Sequence, residues 1–253
     1  MHPKETVERA LRLSKLGHND RQVARLCGVS LGAVQKWRTG ARRAAPDGRR
    51  FRDCPRCHGR PLDEEAYAYL LGLYLGDGHI VACPKGVYRL SIFCDDSWPG
   101  IIEAAAGALA TVMPGSLVSR RRRNGCTEVK SLSTHWTCLF PQHGPGKKHD
   151  RAIVLDHWQR EIVEVHAGPF ARGLIHSDGY RGMNRVRRTV SGQDKWYEYP
   201  RYLFKNESAD ILRLYGEALD RLGVDWRHNN PNEISVARRE AVLRLDGFVG
   251  PKY

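Results

Sequence analysis

Acidic residues are the scarce class in this 253-residue chain: 28 Asp and Glu stand against 41 Lys and Arg, a formal net charge of +13. The deficit is local. Residues 1–60 carry fifteen basic and five acidic side chains, whereas residues 61–253 carry twenty-six and twenty-three. An acid-poor amino-terminal quarter is a polyanion binder by bulk charge, and the remainder has to bind through local patches. No apolar run approaches the length of a bilayer span, which excludes an integral membrane helix and a membrane partner, and no signal peptide opens the chain. Seven cysteines are an odd number without disulfide-like spacing, so a disulfide framework is excluded. A reducing location is expected, cytoplasmic and, in a bacterial-type cell, nucleoid-associated. Splicing residues are missing from both ends, so the internal His228-Asn229-Asn230 is not read as an intein terminus.

What is present is organised around one stretch, Tyr67-Ala-Tyr-Leu-Leu-Gly-Leu-Tyr-Leu-Gly-Asp-Gly78, and a partial echo, Phe170-Ala-Arg-Gly-Leu-Ile-His-Ser-Asp-Gly179. Both read as apolar helices ending in Asp-Gly where a strand begins. Asp63 with Glu64 and Glu65 supplies an N-cap and first-turn acids for the first, and Pro169 suits the first turn of the second. Small residues recur four apart, Gly72 with Gly76 and Gly173 with Ser177, a spacing that lets two helix backbones approach closely. Packing these faces together would bring Asp77 and Asp178 to one end of the seam.

The segments behind each helix repeat. Strands are expected at 79–83 and 87–93, a helix at 101–112, and strands at 117–123 and 127–132 around the turn Asn124-Gly125. The second half offers strands at 180–188 and 197–204, a helix at 208–222, strands at 224–227 and 233–238 around Asn229-Asn230-Pro231-Asn232, and a closing helix at 241–248. Asp77 to Glu128 spans 51 positions and Asp178 to Glu233 spans 55, each Glu opening a fourth strand. Residues 141–149, rich in Pro, Gly, Lys and His, read as a flexible basic joint.

This duplicated pattern resembles the single-chain LAGLIDADG homing endonucleases over roughly residues 62–250. The resemblance implies an α+β fold: a tandem duplicated αββαββα core with pseudo-twofold symmetry and two saddle-like antiparallel sheets, in a monomer. It implies that Asp77 and Asp178, with the preceding Gly76 and Ser177, hold catalytic Mg²⁺ or Mn²⁺ and cut both strands of double-stranded DNA at a long asymmetric site. A basic residue assists in such sites, and Lys130 and Arg238 on the fourth strands are the candidates. The earlier Asp of the motif is replaced here by Leu75 and His176. Arg181, Arg185 and Arg187 alternate with period two and so share one strand face. They, with Arg120, Arg121, Arg122, Arg123 and Lys130, are the expected DNA-binding side chains of the core.

Ahead of the core, Asp20–Trp37 has the apolar spacing, small Ala24 and turn glycine Gly28 of a DNA-binding helix-turn-helix, an all-α domain over 1–40. Its second helix, 31–38, would present Gln35, Lys36 and Arg38 to the groove. Residues 41–61 read as a basic linker in which Arg42 and Arg43 either cross the DNA backbone or belong to a tether that contacts nothing specifically. The linker contains Cys54-Pro-Arg-Cys57-His58, the spacing of half a zinc site. No second CxxC or HxxxH follows, leaving His58 or Cys83 to complete it. The repeats then occupy 62–145 and 146–253. Two readings compete with an endonuclease: a catalytically silent transcriptional regulator that keeps the fold as a DNA reader, and an RNA maturase.

Overall fold

The computed structural model describes residues 2–38, 54–250 and 252. The chain divides into two compact units, residues 1–53 and 54–253.

The first unit contains α1 (Lys4–Lys15), α2 (Asp20–Cys27) and α3 (Leu31–Arg38). Asn19, not Asp20, caps α2: its Oδ1 accepts from Gln22 N while Gln22 Oε1 accepts from Asn19 N, each at 3.0 Å. This closed capping box fixes the helix start at Asp20. Gly28 then takes φ 66°, turning the chain into α3, whose first turn is held by Ser30 Oγ accepting from Ala33 N. Val7, Ala10, Val23, Val34 and Trp37 are buried between the three helices.

The second unit opens with α4 (Pro55–His58). The first repeat follows as α5 (Glu64–Leu75), β1 (Gly78–Cys83), β2 (Val87–Asp95), α6 (Pro99–Val112), β3 (Val118–Arg122), β4 (Cys126–Ser133) and α7 (Trp136–Leu139). After α8 (His157–Val165), the second repeat runs α9 (Ala167–Asp178), β5 (Gly179–Val190), β6 (Gln193–Lys205), α10 (Ala209–Arg221), β7 (Arg227–Asn230), β8 (Glu233–Val236) and α11 (Arg239–Val249). Among the described residues these strands make two antiparallel four-stranded sheets of matching order, β1-β2-β4-β3 and β5-β6-β8-β7. The fold is thus α+β and internally duplicated. None of the described helices is long and apolar enough to cross a membrane.

Four details depart from the sequence-based expectations. Strands β5 and β6 form one long hairpin, because Ser191 and Gly192 both adopt positive φ (52° and 77°) and close a two-residue turn. Strand β7 starts at Arg227 and includes Asn229 and Asn230, while Val224 is buried in the turn before it. Helix α8 is additional; Asp156 and Gln159 close a capping box at its start. Finally, residues 141–149 are tied down, not a flexible joint. Gln142 is buried and donates to Val154 O and Gln159 Oε1, and Arg151 donates to the carbonyls of Gln142, Pro145 and Gly146.

Candidate active site

Helices α5 and α9 pack face to face at their small residues. A Cβ on Gly72 would lie 2.5 Å from Phe170 O, and one on Gly173 would lie 2.3 Å from Tyr69 O. Both obstacles are backbone, so neither can swing away. One turn further on, Ser177 fills the space beside Gly76, its hydroxyl donating to Gly173 O and Leu174 O of its own helix. Leu75 is fully buried, and His176 is buried with its Nδ1 2.9 Å from Tyr69 Oη across the seam. Burial, followed by the nearby charges of Arg172 and Lys252, pushes the imidazole down to about 4, so it packs as a neutral ring.

The seam ends at the two carboxylates. Asp178 is the last residue of α9, whereas Asp77 lies in the turn between α5 and β1. Burial and then repulsion from Asp178 push Asp77 up to about 6, against the opposing pull of Lys148 and Lys252. Asp178 is also raised by burial, but Asn206 Nδ2 donates to its Oδ2 at 2.7 Å and partly offsets the rise. The registers Gly78↔Ile92 and Gly179↔Phe204 place Cys94 where the second repeat has Asn206. Asp77 therefore faces a thiol rather than an amide. Burial, and then Asp77 itself, push that thiol up to about 12. The two halves are alike in backbone and different in how each acid is held.

Two lysines complete the cluster. Lys148 Nζ donates to Tyr74 O at 2.6 Å, to Leu75 O at 2.9 Å and to Gly76 O, capping the negative end of α5. Burial lowers its ammonium to about 8, with Asp178 and Asp77 resisting. Lys252 Nζ donates to Gly179 O at 2.7 Å and interacts with the same two acids. An open cleft of about 580 Å³ lies alongside, lined by Gly78, His79, Lys148, Asp178, Lys205 and Asn206 among others.

Two helices crossing at glycine, an acid at the same end of each, and a four-stranded sheet of the same order behind each define the architecture. It is the tandem duplicated αββαββα core with two antiparallel sheets. Solved structures similar to this chain include the homing endonuclease I-DmoI in complex with DNA and Mn, 14% identical, covering 75% of this chain and 99% of that chain, TM-score 0.47. Another is the LAGLIDADG meganuclease I-AabMI bound to uncleaved DNA, 9% identical, covering 72% and 82%, TM-score 0.46. A third is the N-terminal LAGLIDADG domain of DUF199/WhiA, 11% identical, covering 75% and 83%, TM-score 0.42. No family model and no curated protein matches the sequence.

The assisting bases expected on the fourth strands are not beside Asp77 and Asp178. Lys130 lies in mid-strand on β4 and acts electrostatically on Glu128. Arg238 lies beyond the end of β8 and pairs with Asp225 at 2.6 Å. The cations that reach Asp77 and Asp178 come from residues 148 and 252. Their one sequence signal is a lysine in a Gly-rich segment and another near the end of the chain, and neither carries a recognisable spacing.

Strand register also divides the arginines. Directly paired residues share a sheet face, so Arg181 sits with buried Tyr202 and Arg120 with buried Val129, both on the faces covered by helices. Asp246 of α11 grips Arg181 through two bonds of 2.7 and 2.8 Å, and Glu103 of α6 pairs with Arg120. Arg122, Arg185 and Arg187 project to those same sides; Arg185 lies over Trp196 and pairs with Glu198, and Arg187 pairs with Asp194. Arg181, Arg185 and Arg187 thus share a face, as their period-two spacing predicts, but it is the helix side. The helix-free faces carry Arg89, Arg121, Arg123 and Lys130 in one sheet and Arg188, Lys195, Arg201 and Lys205 in the other. Buried Glu128 anchors the first set: burial pushes its carboxyl up, but bonds from Ser91 and Arg123 outweigh this and hold it below the usual range.

In the first unit Gln35 and Lys36 are exposed on α3, while Arg38 pairs with Asp20 at 3.1 Å. Arg42 and Arg43 lie outside the described residues. Cys54 caps α4, and Cys57 and His58 lie within it. The donor atoms gathered with the two thiols belong to His135 and Cys138, not to His58 or Cys83.

Proposed function

We propose that this chain is a site-specific DNA endonuclease that hydrolyses phosphodiester bonds with a divalent cation held between Asp77 and Asp178. The observation that carries this reading is the carboxylate pair itself. Burial makes both acids unfavourable as anions, and repulsion from Asp178 adds to this at Asp77, a cost that packing alone has no reason to retain. The donor set suits a hard ion: two carboxylates, with the carbonyls of Gly76 and Gly179 at the same end of the seam. Bound Mg²⁺ or Mn²⁺ would supply Lewis-acid stabilisation of the phosphate and an activated water. The chain's own groups do the rest. Asn206 fixes the orientation of Asp178, and Lys148 and Lys252 offset charge around the acids. The helix-free sheet faces hold the DNA backbone, one half-site to each repeat. The α1–α3 unit, which resembles a helix-turn-helix, adds a second DNA-binding surface through Gln35 and Lys36. The chain acts as a monomer, its two repeats reading an asymmetric duplex.

One observation favours the second reading, a catalytically silent DNA-binding regulator: two ammonium groups already balance two carboxylates without any ion. Incubation of the full chain with a randomised duplex library in Mg²⁺ or in EDTA separates the two. An endonuclease yields sequence-defined double-strand ends in Mg²⁺ only; enrichment of bound sequences with no cutting in Mg²⁺ or Mn²⁺ leaves the regulator.

The two faces of the second sheet should respond differently to truncation. Arg188→Ala and Lys195→Ala are each expected to weaken DNA binding and to make the slope of log K against log salt shallower by about 0.9 for every phosphate no longer neutralised. Arg185→Ala and Arg187→Ala are expected to leave the slope unchanged. Fluorescence-anisotropy titrations across a salt series read both.

Lys148→Met leaves three helix-end carbonyls without a donor and the acids with one cation fewer. We expect a loss of roughly 3 kcal/mol at pH 7, where Lys148 is still mostly charged, measured by denaturant melts in EDTA. The loss shrinks at pH 5, where protonation of the raised carboxyls removes their need for a counter-charge. An equal loss at both pH values would show that only the helix cap matters.

A further inference from the structure

Four side chains outside the carboxylate cluster converge on one point. Cys54 caps α4 and Cys57 lies within it, while His135 caps α7 and Cys138 lies within that helix, far along the chain. One donor atom from each lies within 4.8 Å of all the others. The sulfurs of Cys57 and Cys138 are 3.3 Å apart, and His135 Nδ1 is 3.7 Å from Cys138 Sγ. Tetrahedral zinc with metal–sulfur bonds of about 2.3 Å spaces its sulfurs about 3.8 Å apart, so a single ion fits the group with small side-chain adjustments.

The local backbone is shaped to present these donors. Pro55 starts α4, and Cys54 Sγ accepts a hydrogen bond from Cys57 N at 3.4 Å, which fixes where its sulfur points. Gly59 then turns at φ 64°, closing a tight loop that aims both thiols to one side. On the other side His135 precedes α7 and Cys138 is one turn along, so an H-x-x-C spacing meets a C-x-x-C spacing. His58 is not a donor here; its ring lies edge-on against His135, centroids 5.3 Å apart.

We propose that Cys54, Cys57, His135 and Cys138 bind one structural Zn²⁺. The donor set is three soft thiolates and one imidazole, with every position supplied by protein, the signature of a structural rather than a catalytic site. Binding releases the thiol protons to solvent as the ion enters, and His135 coordinates as the neutral ring. The ion clips the start of the second unit to the end of the first repeat. That end is already engaged with the seam: Tyr67 Oη of α5 donates to Leu139 O, and Gln159 Nε2 donates to Tyr67 Oη. Zinc there would hold the entry to α5 without touching the acids.

The test is metal analysis of full-length protein purified under reducing conditions without chelator or added zinc. About one zinc per chain is expected in the wild type and in Cys83→Ala and His58→Ala, falling below about a tenth in Cys138→Ser and His135→Asn. Because a variant that misfolds also loses metal, the wild type is reconstituted with Co²⁺ after zinc removal; the intense visible bands of tetrahedral thiolate–cobalt are expected. The proposal is overturned by any of four results. These are zinc-free wild type with its thiols reduced, a Cys57–Cys138 disulfide, an iron chromophore, or loss of zinc in His58→Ala with retention in His135→Asn.

Discussion

Asp77→Asn is expected to abolish metal-dependent DNA cleavage, by a factor on the order of 10³ or more, while leaving DNA affinity close to wild type. The same substitution is expected to make the protein more stable. In the folded state burial and the neighbouring Asp178 push the Asp77 carboxyl up to about 6 from an ordinary value of 3.8. A carboxyl raised on folding favours the native state only while protonated, so its contribution declines as pH rises from about 4 to 6 and stays lost above that. Asparagine removes both the buried charge and the repulsion. At pH 8 in EDTA the variant should gain up to about 3 kcal/mol, a rise of up to about 6–12 °C in melting temperature for a unit of this size. Below about pH 4 the gain should vanish. Mg²⁺ should raise the melting temperature of the wild type and not of the variant. Loss of cleavage with no gain in stability would mean the acid is held by interactions that favour the anion. A gain in stability with cleavage intact would remove Asp77 from the chemistry. Asp178→Asn is expected to behave alike with a smaller stabilisation, because Asn206 already favours that anion.

Gly173→Ala carries the second large effect, of opposite sign. The new Cβ would lie 2.3 Å from Tyr69 O and 2.9 Å from Leu73 N, both backbone atoms of the facing helix. No rotamer relieves such a clash, so α5 and α9 must move apart along the whole seam. Overpacking of this kind costs about 3 kcal/mol or more, read as a fall of roughly 6–12 °C in melting temperature. Gly72→Ala should match it, since its Cβ meets Phe170 O at 2.5 Å. Gly107→Ala, exposed on α6 with nothing within 4 Å, is the control and should stabilise by about 0.5–1 kcal/mol. Because the seam ends at Asp77 and Asp178, cleavage by Gly173→Ala should fall further than DNA binding at temperatures where it is folded. Equal melting of all three variants would refute the close crossing.

The helices, the duplication and the strand order were legible because each rests on short-range signals: acids and caps at helix starts, glycine at fixed offsets, period-two strands and an Asn-Gly turn. Helix α8 also has a local start signal, the Asp156–Gln159 capping box, but it lies between the repeats and has no place in the duplicated order. The faces of the arginine strands were missed for a different reason. Period two says that Arg181, Arg185 and Arg187 share a side, and only pairing with Tyr202 says which side that is. The zinc donors show the same limit. Cys54 and Cys57 announce half a site at local spacing, and His135 and Cys138 carry no mark that they belong to it.

The sequence alone determined the duplicated αββαββα order, the small residues at the helix seam and the two acids at its end, because periodicity and offset encode them within a few residues. Tertiary structure decided which cations meet those acids, which sheet faces stay free of helices and which four side chains converge on one metal-sized point. Those are meetings between residues up to about a hundred and seventy-five positions apart in the chain, such as Asp77 and Lys252. They are set by how helices pack and strands register, which no local pattern records.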